Sequence, residues 1–133
     1  MNEDIYGIKK WGNDILEILE NGNIGLKNPF KPDNPPTDLI KIIKSLNERG
    51  ISCPVLLRVT DYLAFRIKQI NNSFFEAIKE IGYKGDYKGV FPVKVNQQAQ
   101  VIDRIVEFGK EFDFGLEVGS KPELLIALAH DLS

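Results

Sequence analysis

In the run Gly89-Val90-Phe91-Pro92-Val93-Lys94-Val95-Asn96 an ammonium group stands among apolar neighbours. A lone charge buried in a strand is costly unless it is paired or neutralised, so Lys94 either reaches solvent at a strand end or serves a chemical purpose. Period-two spacing places Phe91, Val93 and Val95 on one face and Pro92, Lys94 and Asn96 on the other. The run 113–118 divides the same way, with Phe114, Leu116 and Val118 opposed to Asp113, Gly115 and Glu117. Each strand thus carries one ionisable residue, Lys94 or Glu117, near its C-terminal end on the face turned away from the helices. Ligands bind at that end of parallel strands, and inward side chains there line the active sites of barrels. Desolvation at such a position favours the neutral amine that Schiff-base chemistry requires.

The surrounding elements must place these two strands side by side. Thr37 is positioned to cap a helix whose apolar residues, Leu39, Ile40, Ile42, Ile43 and Leu46, recur at three-to-four spacing until Gly50. The apolar run 54–59 reads as a strand. A helix follows from near Asp61 through Ile67 and Ile70. The capping-box pattern Ser73-Phe74-Phe75-Glu76 predicts that it restarts or kinks there before Gly82 ends it. The segment YKGDYKG is a turn, and 89–95 and 113–118 are the next strands. Val101, Ile102, Ile105, Val106 and Phe108 mark the helix between them, with charged residues on a solvated face over 98–110. Ser120-Lys121-Pro122-Glu123 is a second capping box, opening a last helix that runs to about Ala129. Alternating strands and helices with short connections predict an α/β architecture with parallel strands.

The first 36 residues read differently. Asn21-Gly22 lies between two apolar runs and predicts a hairpin with a type I′ turn, which requires positive φ at both central residues. Ile15, Leu16, Ile18 and Leu19 also fit a short helix. Four of the seven prolines fall within 28–36, which excludes a helix interior or central strand and leaves a linker or an ordered surface loop.

Composition removes several classes. The chain has 133 residues, with 17 Lys+Arg against 19 Asp+Glu and a formal net charge of −2. A nucleic-acid binder would need a basic stripe. The single cysteine, Cys53, cannot form an internal disulfide, and no clustered Cys/His set suggests a zinc site. No apolar run approaches the ~18 residues of a membrane span. The N-terminus lacks a signal peptide's basic start and apolar core, so the expectation is a cytoplasmic protein. Cys53 reads as a small apolar filler, Trp11 as packing, and the lone His130 as no base. Asn96 and Gln97 suit substrate contact or a turn equally.

VFPVKVNQQ, followed by FGLEVGSKPELLIAL, resembles the biosynthetic arginine decarboxylases. These belong to the pyridoxal-phosphate decarboxylases with an alanine-racemase-like barrel. YGIKKWG, PVLLRV and EIGYKGDYKGVFPVKVNQ resemble the same family in the same order, so the likeness covers nearly the whole chain. It implies an incomplete N-terminal part of a (β/α)8 barrel, a fold of ~250 residues. On this reading 37–133 supply the first βα units of the pyridoxal-phosphate-binding barrel. Residues 1–36 are a β-hairpin and Pro-rich connection belonging to the accompanying β domain.

The resemblance further implies that Lys94 carries pyridoxal 5′-phosphate as an internal aldimine and that Glu117 borders the cofactor. The reaction implied is loss of the α-carboxylate of L-arginine, giving agmatine on the route to putrescine and spermidine. Magnesium is often associated with the family, although no carboxylate cluster in this sequence makes a metal site. The family's phosphate loop, its partner for the pyridine nitrogen and its guanidinium-binding acids are expected beyond these residues. Some are donated across a homo-oligomer interface, so the 133 residues alone are expected to be inactive. Ornithine, lysine or diaminopimelate decarboxylases of the same barrel group are alternatives, as is a non-catalytic pyridoxal-phosphate-binding module.

Overall fold

A computed structural model describes residues 3–130. The chain divides into two compact units, Met1–Asp61 and Tyr62–Ser133.

The first unit opens with two short helices, α1 (Glu3–Tyr6) and α2 (Ile8–Trp11). Strands β1 (Leu16–Ile18), β2 (Ile24–Leu26) and β3 (Thr37–Asp38) follow, then helix α3 (Leu39–Glu48). The strands form an antiparallel sheet in the order β1-β2-β3, with Leu16 opposite Leu26 and Ile18 opposite Ile24. The hairpin therefore forms, and the short-helix alternative for 15–19 does not. Its turn is not type I′. Gly22 has φ +81° while Asn21 is not among the residues with positive φ. The Leu19 N–H donates to Asn23 O (2.9 Å) and the Gly22 N–H to Leu19 O (2.8 Å), closing a three-residue loop with its left-handed residue last.

The side chains around that loop explain the choice. Asn21 and Asn23 each donate an Nδ2–H to Asp38 Oδ2, at 3.2 and 2.9 Å. Asp38 Oδ1 in turn accepts the N–H groups of Ile40 (2.9 Å) and Lys41 (3.4 Å). Asp38, rather than Thr37, thus caps α3, its side chain taking the free N–H groups of the first turn. Asn28 Oδ1 accepts the N–H groups of Phe30 and Lys31, which makes the Pro-rich stretch an ordered loop.

Further expectations fail in this unit. The run 54–59 forms no strand, and Leu56 is 75% exposed. An extended segment becomes a strand only when it pairs with a neighbouring strand, and none pairs with it among the described residues. Trp11 and Cys53 are exposed rather than packed; the Trp11 indole donates to Tyr6 O at 2.8 Å.

Helix α4 (Thr60–Ile81) runs without interruption through Ser73, correcting the expected restart or kink. The Ser73 hydroxyl bonds back to Gln69 O at 2.9 Å, so it caps no new helix. Gly82, with φ +65°, follows the end. Phe74 and Phe75 contact Tyr87, Phe74 by stacking with centroids 3.9 Å apart, and Phe75 also meets Phe112.

The second unit then contains β4 (Val90–Pro92), a 3-10 turn (Val93–Val95), α5 (Ala99–Gly109), a 3-10 turn (Lys110–Phe112), β5 (Gly115–Glu117) and α6 (Lys121–Leu128). β4 and β5 are parallel, with Val90 opposite Gly115, Phe91 opposite Leu116 and Pro92 opposite Glu117. Val93, Ile102, Ile105 and Ala127 are its most buried apolar residues, together with Ile67 of α4. Ile102 and Ile105 fall on the face that the spacing predicts for α5. Gly89 is required by crowding, since a Cβ there would lie 2.3 Å from the Phe114 ring. The result is a mixed α/β chain in which no barrel closes among the described residues.

Candidate functional site

Both chemical strands are shorter than the alternation predicts. β4 ends at Pro92, and Val93, wholly buried, begins the 3-10 turn that carries Lys94. The Asn96 N–H closes this turn on Val93 O at 3.2 Å. Turning the backbone here breaks the period-two pattern beyond Pro92. Val95 is 68% exposed instead of sharing a buried face with Val93, and Lys94 is exposed at the C-terminal end of β4. The desolvation expected around Lys94 is therefore not present within these residues. Asn96 takes the turn role, its Oδ1 accepting the Gln98 N–H at 3.1 Å.

Glu117 is the last residue of β5 and is half-buried. Its register with Pro92 sets it beside the end of β4, so the structure brings Lys94 and Glu117 to the same edge of the parallel pair. Asp113 does not join them. It precedes β5 in a left-handed conformation, φ +52°, and pairs with Lys88 at the opposite end of the strands. The Lys88 hydrogen bond, aided by its charge, holds the Asp113 carboxyl below its ordinary value.

Glu123 is a residue the sequence reading left as a mere cap. Ser120 opens α6, and its Oγ accepts the Glu123 N–H at 3.4 Å while its hydroxyl donates to Glu123 Oε1 at 2.8 Å. The backbone N–H of Gly119 donates to Glu123 Oε2 at 2.9 Å. The carboxylate is thus gripped on both oxygens and is only 8% exposed. The Gly119 bond foremost, then the Ser120 bond and the charge of Lys94, hold the Glu123 carboxyl below the usual range despite burial. Helix α6 packs against the turn bearing Lys94. A helix that starts just beyond the C-terminal end of one strand begins beside the end of its parallel neighbour. That geometry is the signal by which Glu123 could have been found.

Gly119 lies between the two acids. A Cβ on it would stand 3.7 Å from Glu117 Oε1 and 3.8 Å from Glu123 Oε2. The site therefore comprises one exposed amine, two carboxylates and an open backbone position at the ends of parallel strands. An amine so placed suits covalent capture of an aldehyde, and the absence of a side chain at Gly119 leaves the rim uncrowded. Among the three side chains only Lys94 offers a primary amine, the group an aldehyde-bearing cofactor would take. No group of His, Cys, Asp and Glu suited to a metal ion occurs among the described residues. No helix among them is long and apolar enough to cross a membrane. A cleft of about 250 Å³ lined by Asp103, Val106, Glu107, Lys110 and His130 contains none of the three site residues.

Strand, helix and strand, with the two strands parallel, define part of an α/β fold. No family model matches the chain. The chain is homologous to the biosynthetic arginine decarboxylases. It is 47% identical over 126 residues to that of Gloeobacter violaceus, covering 95% of this chain and 19% of the relative. Identity is 49% over 124 residues with that of Prochlorococcus marinus, covering 93% and 19%. The crystal structure of the biosynthetic arginine decarboxylase SpeA from Campylobacter jejuni matches with a TM-score of 0.82 and 37% identity, covering 97% of this chain and 20% of that one. The chain spans about a fifth of the length of the curated relatives it matches.

Proposed function

We propose that these residues form the N-terminal segment of a pyridoxal-phosphate-dependent lyase that converts L-arginine to agmatine and carbon dioxide. The observation that carries this reading is the pairing of Pro92 with Glu117. It sets Lys94 and Glu117 at one edge of a parallel strand pair in a chain homologous to arginine decarboxylases. On this reading 37–133 contribute the first βα units of a (β/α)8 barrel, and further strands of the full-length enzyme close it around the amine.

Lys94 would hold the cofactor covalently through its side-chain nitrogen. Pyridoxal phosphate, when bound, supplies the electron sink that accepts the pair left by departing carbon dioxide. Glu117 presents its carboxyl group at the same strand ends and orients the amine. Closure of the barrel excludes water and desolvates Lys94, which is exposed within these residues alone. The phosphate, pyridine-nitrogen and guanidinium contacts come from outside this segment, some from a second subunit of a cytoplasmic homo-oligomer.

The test is product formation by the full-length enzyme with pyridoxal phosphate, offered L-arginine, L-ornithine, L-lysine and diaminopimelate separately. Agmatine from arginine, with little turnover of the others, is expected. Preference for another of these amino acids would replace the substrate assignment. Cofactor binding without turnover of any would replace the enzyme with a binding module.

A further inference from the structure

We propose that Glu123 is a positioning residue for the Lys94 amine, a role that rests on the reading of Lys94 as the cofactor-bearing lysine. A cap alone does not account for its arrangement. In an ordinary capping box the glutamate bonds the N-cap residue's own N–H. Here Glu123 reaches one residue further back, to the Gly119 N–H, while also accepting the Ser120 hydroxyl. Both carboxylate oxygens are occupied, and the group is buried rather than solvated. A buried carboxylate so fixed has little freedom to move, and its charge stays where the turn places it.

That place is on the helix that packs against the Lys94 turn. Helix α6 packs on the 3-10 turn, and the Lys94 ammonium acts on the Glu123 carboxyl through space. The charged groups on the elements flanking the turn are Glu123 and Lys121 of α6 and Glu117 of β5. Lys121 is exposed. Glu117 and Glu123 approach the open flank of Gly119 from two sides, each within 4 Å of the point a side chain would occupy. Glu117 reaches it from the end of the strand, and Glu123 from the first turn of the helix. Glu123 thereby ties the 119–120 turn, the start of α6 and the amine into one unit, and it holds the turn in place while the amine exchanges partners. Removing a carboxylate charge disfavours the charged form of any amine near it, which is the change a pH series reads.

The test uses the full-length apoenzyme, pyridoxal phosphate as probe and borohydride reduction across a pH series, with labelling at Lys94 read by peptide mapping. Glu123→Gln keeps an oxygen for the Gly119 N–H and removes the charge. Its melting temperature is expected to stay within about 3 °C of wild type, while its Lys94 labelling profile moves by about 0.5 pH unit or more towards lower pH. Ser120→Ala keeps the charge but frees one oxygen, and slower labelling of Lys94 is expected. If Glu123→Gln does not fold, this second variant decides alone. A wild type that labels Lys94, with a Glu123→Gln profile superimposable on it or a Ser120→Ala rate equal to it, overturns the positioning role. A wild type that does not label Lys94 overturns the cofactor reading, and this role with it.

Discussion

Pro92 and Glu117 stand opposite each other in the parallel β4–β5 pair, so Lys94 lies two residues beyond the position that Glu117 faces. This relationship makes Glu117 the strand-borne acid of the site. Glu117→Gln in the full-length enzyme is expected to lower turnover about tenfold, or 1.4 kcal/mol in the barrier, with thermal stability nearly intact. Steady-state kinetics beside a melting curve check it; unchanged kinetics would remove Glu117 from the site.

Asp38 ties the hairpin loop to α3 through four hydrogen bonds. The bond from Asn23 foremost, with those from Asn21, Ile40 and Lys41, holds its carboxyl below the ordinary 3.8 despite burial. A depressed folded-state value contributes stability above the unfolded value, and that contribution is lost as pH falls through the folded one. Asp38→Ala is therefore expected to melt lower than wild type at neutral pH, with the gap narrowing below about pH 4. Melting curves across pH 2–7 read both effects. A gap independent of pH would show that the carboxylate's charge plays no part.

Ile102, with no exposed surface, is a core residue of α5. Ile102→Ala removes a buried branched side chain and leaves a cavity, so a loss of about 2–5 kcal/mol is expected in denaturant unfolding. A loss below about 1 kcal/mol would mean that α5 is not held by this face.

Several of these features can be read directly from residue types and spacing. Alternating strand and helix signals place β4, α5, β5 and α6 because their apolar periodicity and caps agree with one another. Ser120 does cap α6, and Asn21-Gly22 does mark a hairpin. What stays hidden depends on partners distant in sequence. Among the described residues no strand pairs with the apolar run 54–59, and nothing local reveals that. Asp38, not Thr37, is the cap, and it is fixed by Asn21 and Asn23 from the distant hairpin loop. Val93 sinks into the core and turns the chain, so the face holding Lys94 cannot be counted by twos. Glu123 joins the site through the parallel arrangement of strands, which no single segment encodes.

Exposed apolar side chains bear on the behaviour of the 133 residues alone. Leu56, Ile81, Leu125 and Leu128 are each more than two-thirds exposed. Such surfaces seek cover, so the isolated chain is expected to self-associate and to release no carbon dioxide from arginine. Gel filtration and a carbon-dioxide assay test this together. A well-behaved monomer that turns over arginine would contradict it.

The identity of the reactive lysine is the most direct test. The full-length enzyme, loaded with pyridoxal phosphate, reduced with borohydride and digested, is expected to carry the cofactor on the peptide containing Lys94, and Lys94→Ala is expected to lose it. Recovery of the label on Lys88, Lys121 or any other lysine, with Lys94 unmodified, would contradict the account.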